Sequence, residues 1–390
     1  MSDHTTPVLL DGLRTPFGKY KGALSGYSAR DLNAIVIKAL LAKVPELMQS
    51  DGVLLGQVLQ ATQGQNPARL AASDAGLPLT IPAATFNSVC LAGLSTVADA
   101  TRRIHLGEGR AYIVGGGDSM SRAPHAALMR TGIVRPGSLE MIDVMIRDGL
   151  WCSISNEGVG EISERANREL RVSREAQDEI AVRSHQLAAQ AYQQGLFGTE
   201  VISVQLKNEA FSSDEGVRGE SSLDKVSKLL PAFNEFGTIT AGNASQMSDG
   251  ASIGAVTSLV FAKEIGRAPL AKIISFAEVA GPDTSLHLKP AYAIELALKK
   301  AGLKVSDIDL FEINEAFAAV VATTCTHLKV PLDITNVNGG AIAIGHPLGG
   351  TGFRLLLTLA KELQRRNARY GVASMCGGGG QGFAVIIERI

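Results

Sequence analysis

Three residues stand where the sequence changes character. Cys90 closes "FNSVC" and opens the helical pattern "LAGLSTVADATRRIHLGEG". A thiol at a helix start faces the positive end of the helix dipole. That setting lowers the thiol pKa and favours the nucleophilic thiolate. Ala92 and Gly93 leave room for a substrate to approach. The competing reading of Cys90 is a small buried hydrophobe. His346 is the one titratable group in "NVNGGAIAIGHPLGGTG", either part of a tight turn or an imidazole that a substrate meets against bare backbone. Cys376 ends the apolar run of "RYGVASMCGGGGQG". A glycine bend there leaves backbone N–H groups free to meet an anion, or simply joins two strands. Asn314 and Glu315 interrupt the apolar "LFEINEAFAAVVA". A buried Asn needs hydrogen-bond partners, so Asn314 caps a helix beginning near Ala316, holds a water, or does both. Two thiols, one imidazole and one buried amide point to covalent acyl chemistry. Cys152 and Cys325 lack such a setting and read as core residues. No clustered His and carboxylate ligands suggest a metal.

The elements that must position these groups form a repeating pattern. A special residue, a helix, a basic turn, a buried strand and a glycine cluster occur in that order twice, once after Cys90 and once after His346. "RAYIVGGGDS" reads as a strand over 111–114 that stops at glycine. Alternating buried strands and helices predict an α/β fold with helices covering the sheet. Residues 120–245 are more charged and read as an insertion lying over one half. Within it Ser173 is an N-cap, with Gln177 near the capping-box position.

Composition narrows the class. Hydrophobic residues make up 45% and charged residues 19% of 390 residues, enough for a large core. The net charge of −1 and the absence of a basic block argue against nucleic acid. The opening residues lack a signal-peptide pattern. No uninterrupted apolar run of about 18 residues predicts a membrane span. Four cysteines without a CxxC pair suit a reducing, cytoplasmic setting.

With these motifs in place, the sequence resembles the thiolases over essentially its whole length. "LRTPFGKYKGAL", "NSVCLAGL", "GGGDSMSRAPH", "AGNASQMSDGAS", "NEAFA", "NVNGGAIAIGHPLGGTG" and "CGGGGQG" match that family's signatures in order. The resemblance implies two similar α/β halves in a five-layer α-β-α-β-α arrangement. Residues 1–119 with 248–268 would form the first half, 120–247 a loop domain, and 269–390 the second half. It further implies that Cys90 takes the acyl group and that His346 activates it. Cys376 would move the α-proton. Asn314 would hold a water that forms one oxyanion hole with His346, and the N–H groups of Cys90 and Gly378 would form the other. Arg218, Leu229, Phe233, Ala244, Ser245 and Phe317 match positions that line the CoA channel. Coenzyme A would be substrate and product, with no tightly bound cofactor.

Departures from the family concern the acyl pocket. Gly158 and Val159 stand where short-chain members carry His-Met, and Leu286 stands at another methionine position. These changes predict a wider pocket. Lys225 stands near the expected adenine site, where serine is common. "GSLEMIDVMIRDGLW" resembles the loop that ties short-chain members into tetramers, which implies a homotetramer and a short-chain substrate such as acetoacetyl-CoA. The alternatives are a degradative thiolase for longer or branched chains, a ketoacyl synthase, and an acyl-CoA-binding protein without activity. Cys376 speaks against the synthase, which carries histidine there. Retention of Cys90 and His346 speaks against the binding protein.

Overall fold

A computed structural model describes residues 3–130 and 138–390. The first repeat runs β1 (Pro7–Arg14), α1 (Ala29–Lys43), β2 (Gly52–Gly56), α2 (Pro67–Asp74), β3 (Ala83–Phe86), α3 (Ala92–Leu106) and β4 (Ala111–Ser119). An intervening segment carries the hairpin β5 (Trp151–Cys152) and β6 (Glu157–Gly158), then α4 (Val159–Leu170) and α5 (Arg174–Gln193). Strand β7 (Ser248–Ser258) then returns to the first sheet. The second repeat runs β8 (Ala271–Ala280), α6 (Lys289–Ala301), β9 (Leu310–Ile313), α7 (Ala318–Leu328), α8 (Leu348–Arg366), β10 (Tyr370–Gly377) and β11 (Gln381–Arg389).

The repeats share one strand order. The first is β3-β2-β4-β7-β1, with β2 parallel to β3 and β4, and β7 antiparallel to both β4 and β1. The second is β9-β10-β11-β8, with β9 and β10 parallel and the rest antiparallel. A parallel bridge from Phe311 to Thr335 stands where β3 stands in the first. The sheets join where β1 meets β8, at Val8↔Lys272 and Leu9↔Ala271.

Three apolar cores separate the layers. Leu32, Val36, Ile37 and Leu40 of α1 pack on Leu10, Val53 and Ile253 of the first sheet. Leu94 and Val97 of α3 and Phe353, Leu356 and Leu357 of α8 fill the space between sheets, against Leu54, Val114, Met375 and Phe383. Ile294 and Leu298 of α6 and Val321 of α7 cover Ile313, Val372 and Ile386 on the far side. The result is the five-layer α-β-α-β-α order. Burial at about 1.5–3 kcal/mol per large apolar side chain is what holds α3 and α8 between two sheets.

Two readings change here. Strand β4 does not stop at Val114 but continues through Gly115–Gly117 to Ser119. The glycines keep the strand bare so that other backbone can touch it: a Cβ on Gly116 would lie 2.1 Å from Gly56 O and 2.8 Å from Gly349 O. The intervening segment touches both halves rather than one. Arg14 of β1 bonds the carboxylates of Glu200 (2.8 Å) and Asp214 (2.7 Å), while Ser184 of α5 donates to Glu315 Oε2 (2.6 Å). Ser173 does cap α5, accepting from Ala176 N at 3.1 Å, and Gln177 Nε2 donates back to Ser173 O. No helix among the described residues is long and apolar enough to cross a membrane.

Candidate active site

Helices α3 and α8 begin side by side. A Cβ on Gly93 would meet Gly349 O at 2.8 Å, and one on Gly352 would meet Leu94 N at 2.7 Å, so only glycine allows this approach. Cys90 and His346 hold equivalent places. Each stands two residues before the first residue of its helix, with Leu91 and Pro347 as the caps. Val89, with φ of 52°, turns the chain before Cys90, and Asn87 Oδ1 accepts from its N–H at 3.0 Å. A β-branched residue rarely takes this left-handed conformation, so the turn is imposed by its surroundings.

Cys90, His346, Cys376 and Gly378 line one cavity of about 630 Å³. So do Arg218, Phe233, Ala244, Ser245, Phe317, Val159 and Leu286. Leu229 is not among its lining residues and stands 38% exposed. The intervening segment reaches the cavity because Ser245 N donates to Ala316 O at 3.0 Å and Ala244 bridges to Phe317. Phe233 meets Phe317 edge-on at 6.2 Å. Val159, Leu286, Ala316 and Phe317 form an apolar wall beside Cys376. Leu150, Leu348 and Met145 form another beside Cys90.

Gly158 lines the cavity as well, and Glu161 stands beside it. A Cβ there would lie 2.2 Å from Glu161 Oε2, so the Glu161 side chain fills that space.

The Cys90 thiol is pushed up to about 12 by burial, with the N–H groups of Gly378 and Cys90 itself pulling the other way. A helix start by itself lowers a thiol pKa, the reverse of what is found. Loss of water around the sulfur outweighs a dipole whose first helical residue is Ala92. Burial also raises Cys376, and the nearness of Cys90 adds to it. His346 is lowered to about 3 by burial and by the Arg354 charge, so its ring is neutral. A neutral thiol beside a neutral imidazole suits deprotonation of the thiol at the moment of attack.

Asn314 does not cap a helix. The next helix starts at Ala318 with Phe317 at the cap, and Asn314 Nδ2 lies 3.4 Å from His346 Nε2. Its neighbour Glu315 anchors the passage, accepting from Ser184 Oγ, Asn336 Nδ2 (3.0 Å) and Ile342 N (3.1 Å). The Asn314 side-chain oxygen is buried without a partner among the described residues.

Sequence reasoning missed two supports of the imidazole. Thr351 Oγ1 lies 2.6 Å from His346 Nδ1 and donates to Pro347 O at 2.9 Å. Its position five residues after the histidine, in the first turn of α8, was the available signal. Asp118, the second-to-last residue of β4, accepts from Leu59 N (2.9 Å) and Gly349 N (2.7 Å), fastening the start of α8. Nothing local in "GGGDS" marks that contact.

A duplicated α/β fold with two thiols and an imidazole in one cavity is the thiolase arrangement. The chain belongs to the thiolase family: residues 8–259 match the thiolase N-terminal domain and 267–389 the thiolase C-terminal domain. It is 43% identical over 393 residues to an acetyl-CoA acetyltransferase of Cupriavidus necator, covering 99% of this chain and 100% of the relative. An acetyl-CoA acetyltransferase of Escherichia coli is 40% identical over 390 residues, covering 98% and 99%. Among solved structures, human mitochondrial 3-ketoacyl-CoA thiolase in complex with CoA superposes with a TM-score of 0.95 at 35% identity, covering 99% of both chains. The Bacillus anthracis acetyl-CoA acetyltransferase gives 0.95 at 34% identity, with the same coverage.

Proposed function

We infer that this chain is an acetyl-CoA C-acyltransferase. It cleaves a 3-ketoacyl-CoA with CoA, or runs the reverse Claisen condensation, through an acyl-Cys90 intermediate. The observation that carries the reading is the convergence of Cys90, His346 and Cys376 on one apolar cavity. In thiolysis the Cys90 sulfur attacks the keto carbon while His346 Nε2 takes its proton. The Cα–Cβ bond breaks, and the leaving carbon takes a proton from Cys376, releasing acetyl-CoA. The sulfur of incoming CoA then displaces Cys90 from the acyl group. Each tetrahedral oxyanion and the enolate needs a fixed donor, typically worth about 2.7–4 kcal/mol of barrier. His346, with a water on Asn314, serves one, and the N–H groups of Cys90 and Gly378 serve the other. Arg218, Phe233, Ala244 and Ser245 of the 120–247 loop domain, with Phe317, receive coenzyme A as substrate and product. Halves 1–119 with 248–268, and 269–390, supply the chemistry.

The substrate is a short-chain ketoacyl-CoA such as acetoacetyl-CoA. Longer or branched chains are the second reading, favoured by Val159 and Leu286 at the apolar wall. Assembly as a cytoplasmic homotetramer is part of the same reading. It is supported by β3, a sheet edge strand, and by exposed Leu128, Met129, Leu139 and Met141 around 125–143. Of the segment thought to tie tetramers, only Gly137 lies outside the described residues.

Incubation with acetyl-CoA followed by intact mass should give one acetyl adduct, absent in Cys90→Ala. Thiolysis should be measured with acetoacetyl-CoA and with longer 3-ketoacyl-CoAs. An adduct that persists in Cys90→Ala refutes the nucleophile, and no thiolysis of any 3-ketoacyl-CoA refutes the activity.

A further inference from the structure

His346 is held by its main chain as well as by its ring, and from the other half of the molecule. Its N–H donates to Ser248 Oγ at 3.1 Å. Ser248 is 1% exposed and opens β7 of the first sheet, so this bond crosses from one repeat to the other. The Ser248 hydroxyl donates in turn to Gln246 O at 2.7 Å. Its single proton is used there, and its oxygen is the acceptor for His346.

The chain before the histidine needs such a hold. Gly345 takes φ of 114°, and a glycine backbone has many other conformations within easy reach. The missing side chain also admits the hydroxyl, since a Cβ on Gly345 would lie 2.6 Å from Ser248 Oγ. Gly345 N donates to Ala341 O at 2.9 Å, and the short helical turn Ala341–Ile344 is fastened by Gln246, whose Nε2 donates to Ile342 O at 2.8 Å. After the histidine comes Pro347, with φ of −68°, and a residue before proline is confined to extended conformations. The bond to Ser248 fixes the peptide between Gly345 and His346, whose nitrogen carries the His346 Cα. The residues just before Ser248, Ala244 to Met247, line the cavity, so one stretch both meets the substrate and holds the histidine.

We propose that Ser248 is a positioning residue for the reaction: its hydroxyl accepts the His346 N–H and so fixes the main chain from which the imidazole reaches into the cavity. The proposal rests on the reading of His346 as the base. Remove the hydroxyl and a buried N–H is left unmet, beside a glycine that lets the chain turn toward another partner.

The test compares Ser248→Ala, Ser248→Thr and Ser248→Asn in thiolysis of acetoacetyl-CoA. Rates are expressed per Cys90 that acetyl-CoA can acetylate at long incubation, counted by intact mass. Ser248→Ala should lose about ten- to a hundredfold in kcat, with KM within about twofold, as expected of a base moved but not removed. Threonine or asparagine, each with a donor for Gln246 O and an acceptor for the His346 N–H, should restore most of it. If alanine does not fold, Ser248→Cys, which fills the volume with a poor acceptor, is read in its place. Wild-type kcat per acetylatable site in the alanine or cysteine variant overturns the proposal, as does an equal loss in threonine and asparagine. An inactive wild type instead overturns the thiolase reading on which it rests.

Discussion

His346 Nδ1 lies 2.6 Å from Thr351 Oγ1, and the direction of that bond sets the state of the ring. The Thr351 hydroxyl already donates to Pro347 O, so its oxygen accepts and Nδ1 carries the proton. Nε2 is then the bare nitrogen, on the side where Asn314 lies. A base needs its lone pair there.

Thr351→Val keeps the shape and removes the acceptor. The ring loses its preferred tautomer, and a buried N–H is left unpaired at about 1–3 kcal/mol. Acetylation of Cys90 by acetyl-CoA should slow by about ten- to a hundredfold, and Thr351→Ser should retain most of the wild-type rate. Equal rates in the valine variant and wild type would show that the hydroxyl does not set the ring.

Cys376→Ser should leave the acetyl adduct on Cys90 intact while condensation of two acetyl-CoA units falls by at least about a hundredfold. Serine is a far weaker acid and base in the same apolar wall. Failure of the variant to acetylate would mean that Cys376 holds the site together rather than moving a proton.

Much of this was legible before any coordinates, and the parts that were not share a cause. Cys90, His346 and Cys376 announce themselves because each sits at a boundary between a periodic run and a glycine cluster, and the duplicated order of those runs gives the fold. Thr351 sits in the first turn of α8, five residues from its partner, yet a hydroxyl in a glycine-rich helix start also reads as a simple cap. Asp118 sits inside a glycine-rich strand, and its bonds to Leu59 and Gly349 exist only after α8 docks. The Cys90 pKa runs opposite to expectation because burial is a property of the whole fold, and the dipole argument sees only one helix.

Val159→Met should narrow the wall beside Cys376. One methylene in an apolar pocket is worth about 1–3 kcal/mol of discrimination. Activity on 3-ketohexanoyl-CoA should therefore fall more than activity on acetoacetyl-CoA, measured as the ratio of kcat/KM values. A wild type that cleaves only acetoacetyl-CoA, with both substrates changed alike in the variant, would remove the case for extra room.

His287 offers a test of stability against pH. Its Nε2 donates to Asn167 Oδ1 at 2.6 Å, because the Asn167 amide group is occupied with Gln177 and Thr238. Nδ1 is left buried without a partner among the described residues. Burial lowers the ring from its ordinary 6.5 to about 4. The unfolded chain thus binds a proton that the folded chain refuses. The stability linked to this group is complete above about 6.5 and is lost as pH falls toward 4, by about 3 kcal/mol in full. His287→Gln keeps a donor for Asn167 and cannot titrate. Denaturant midpoints of wild type and variant should therefore converge, or cross, as pH drops from 7 to 4.5. Parallel curves over that range would rule out a buried neutral His287.

The two special residues at the starts of α3 and α8 come from different repeats, and β7, which completes the first sheet, follows the whole intervening segment. During synthesis, then, the proposed nucleophile is made long before its proposed base. A nascent first repeat carries the thiol without the imidazole, on a helix whose apolar face still waits for α8. On the proposed roles, catalysis arrives only once His346 and Cys376 have been made, late in the sequence. The same dependence means that neither repeat, expressed alone, could preserve a fraction of the activity.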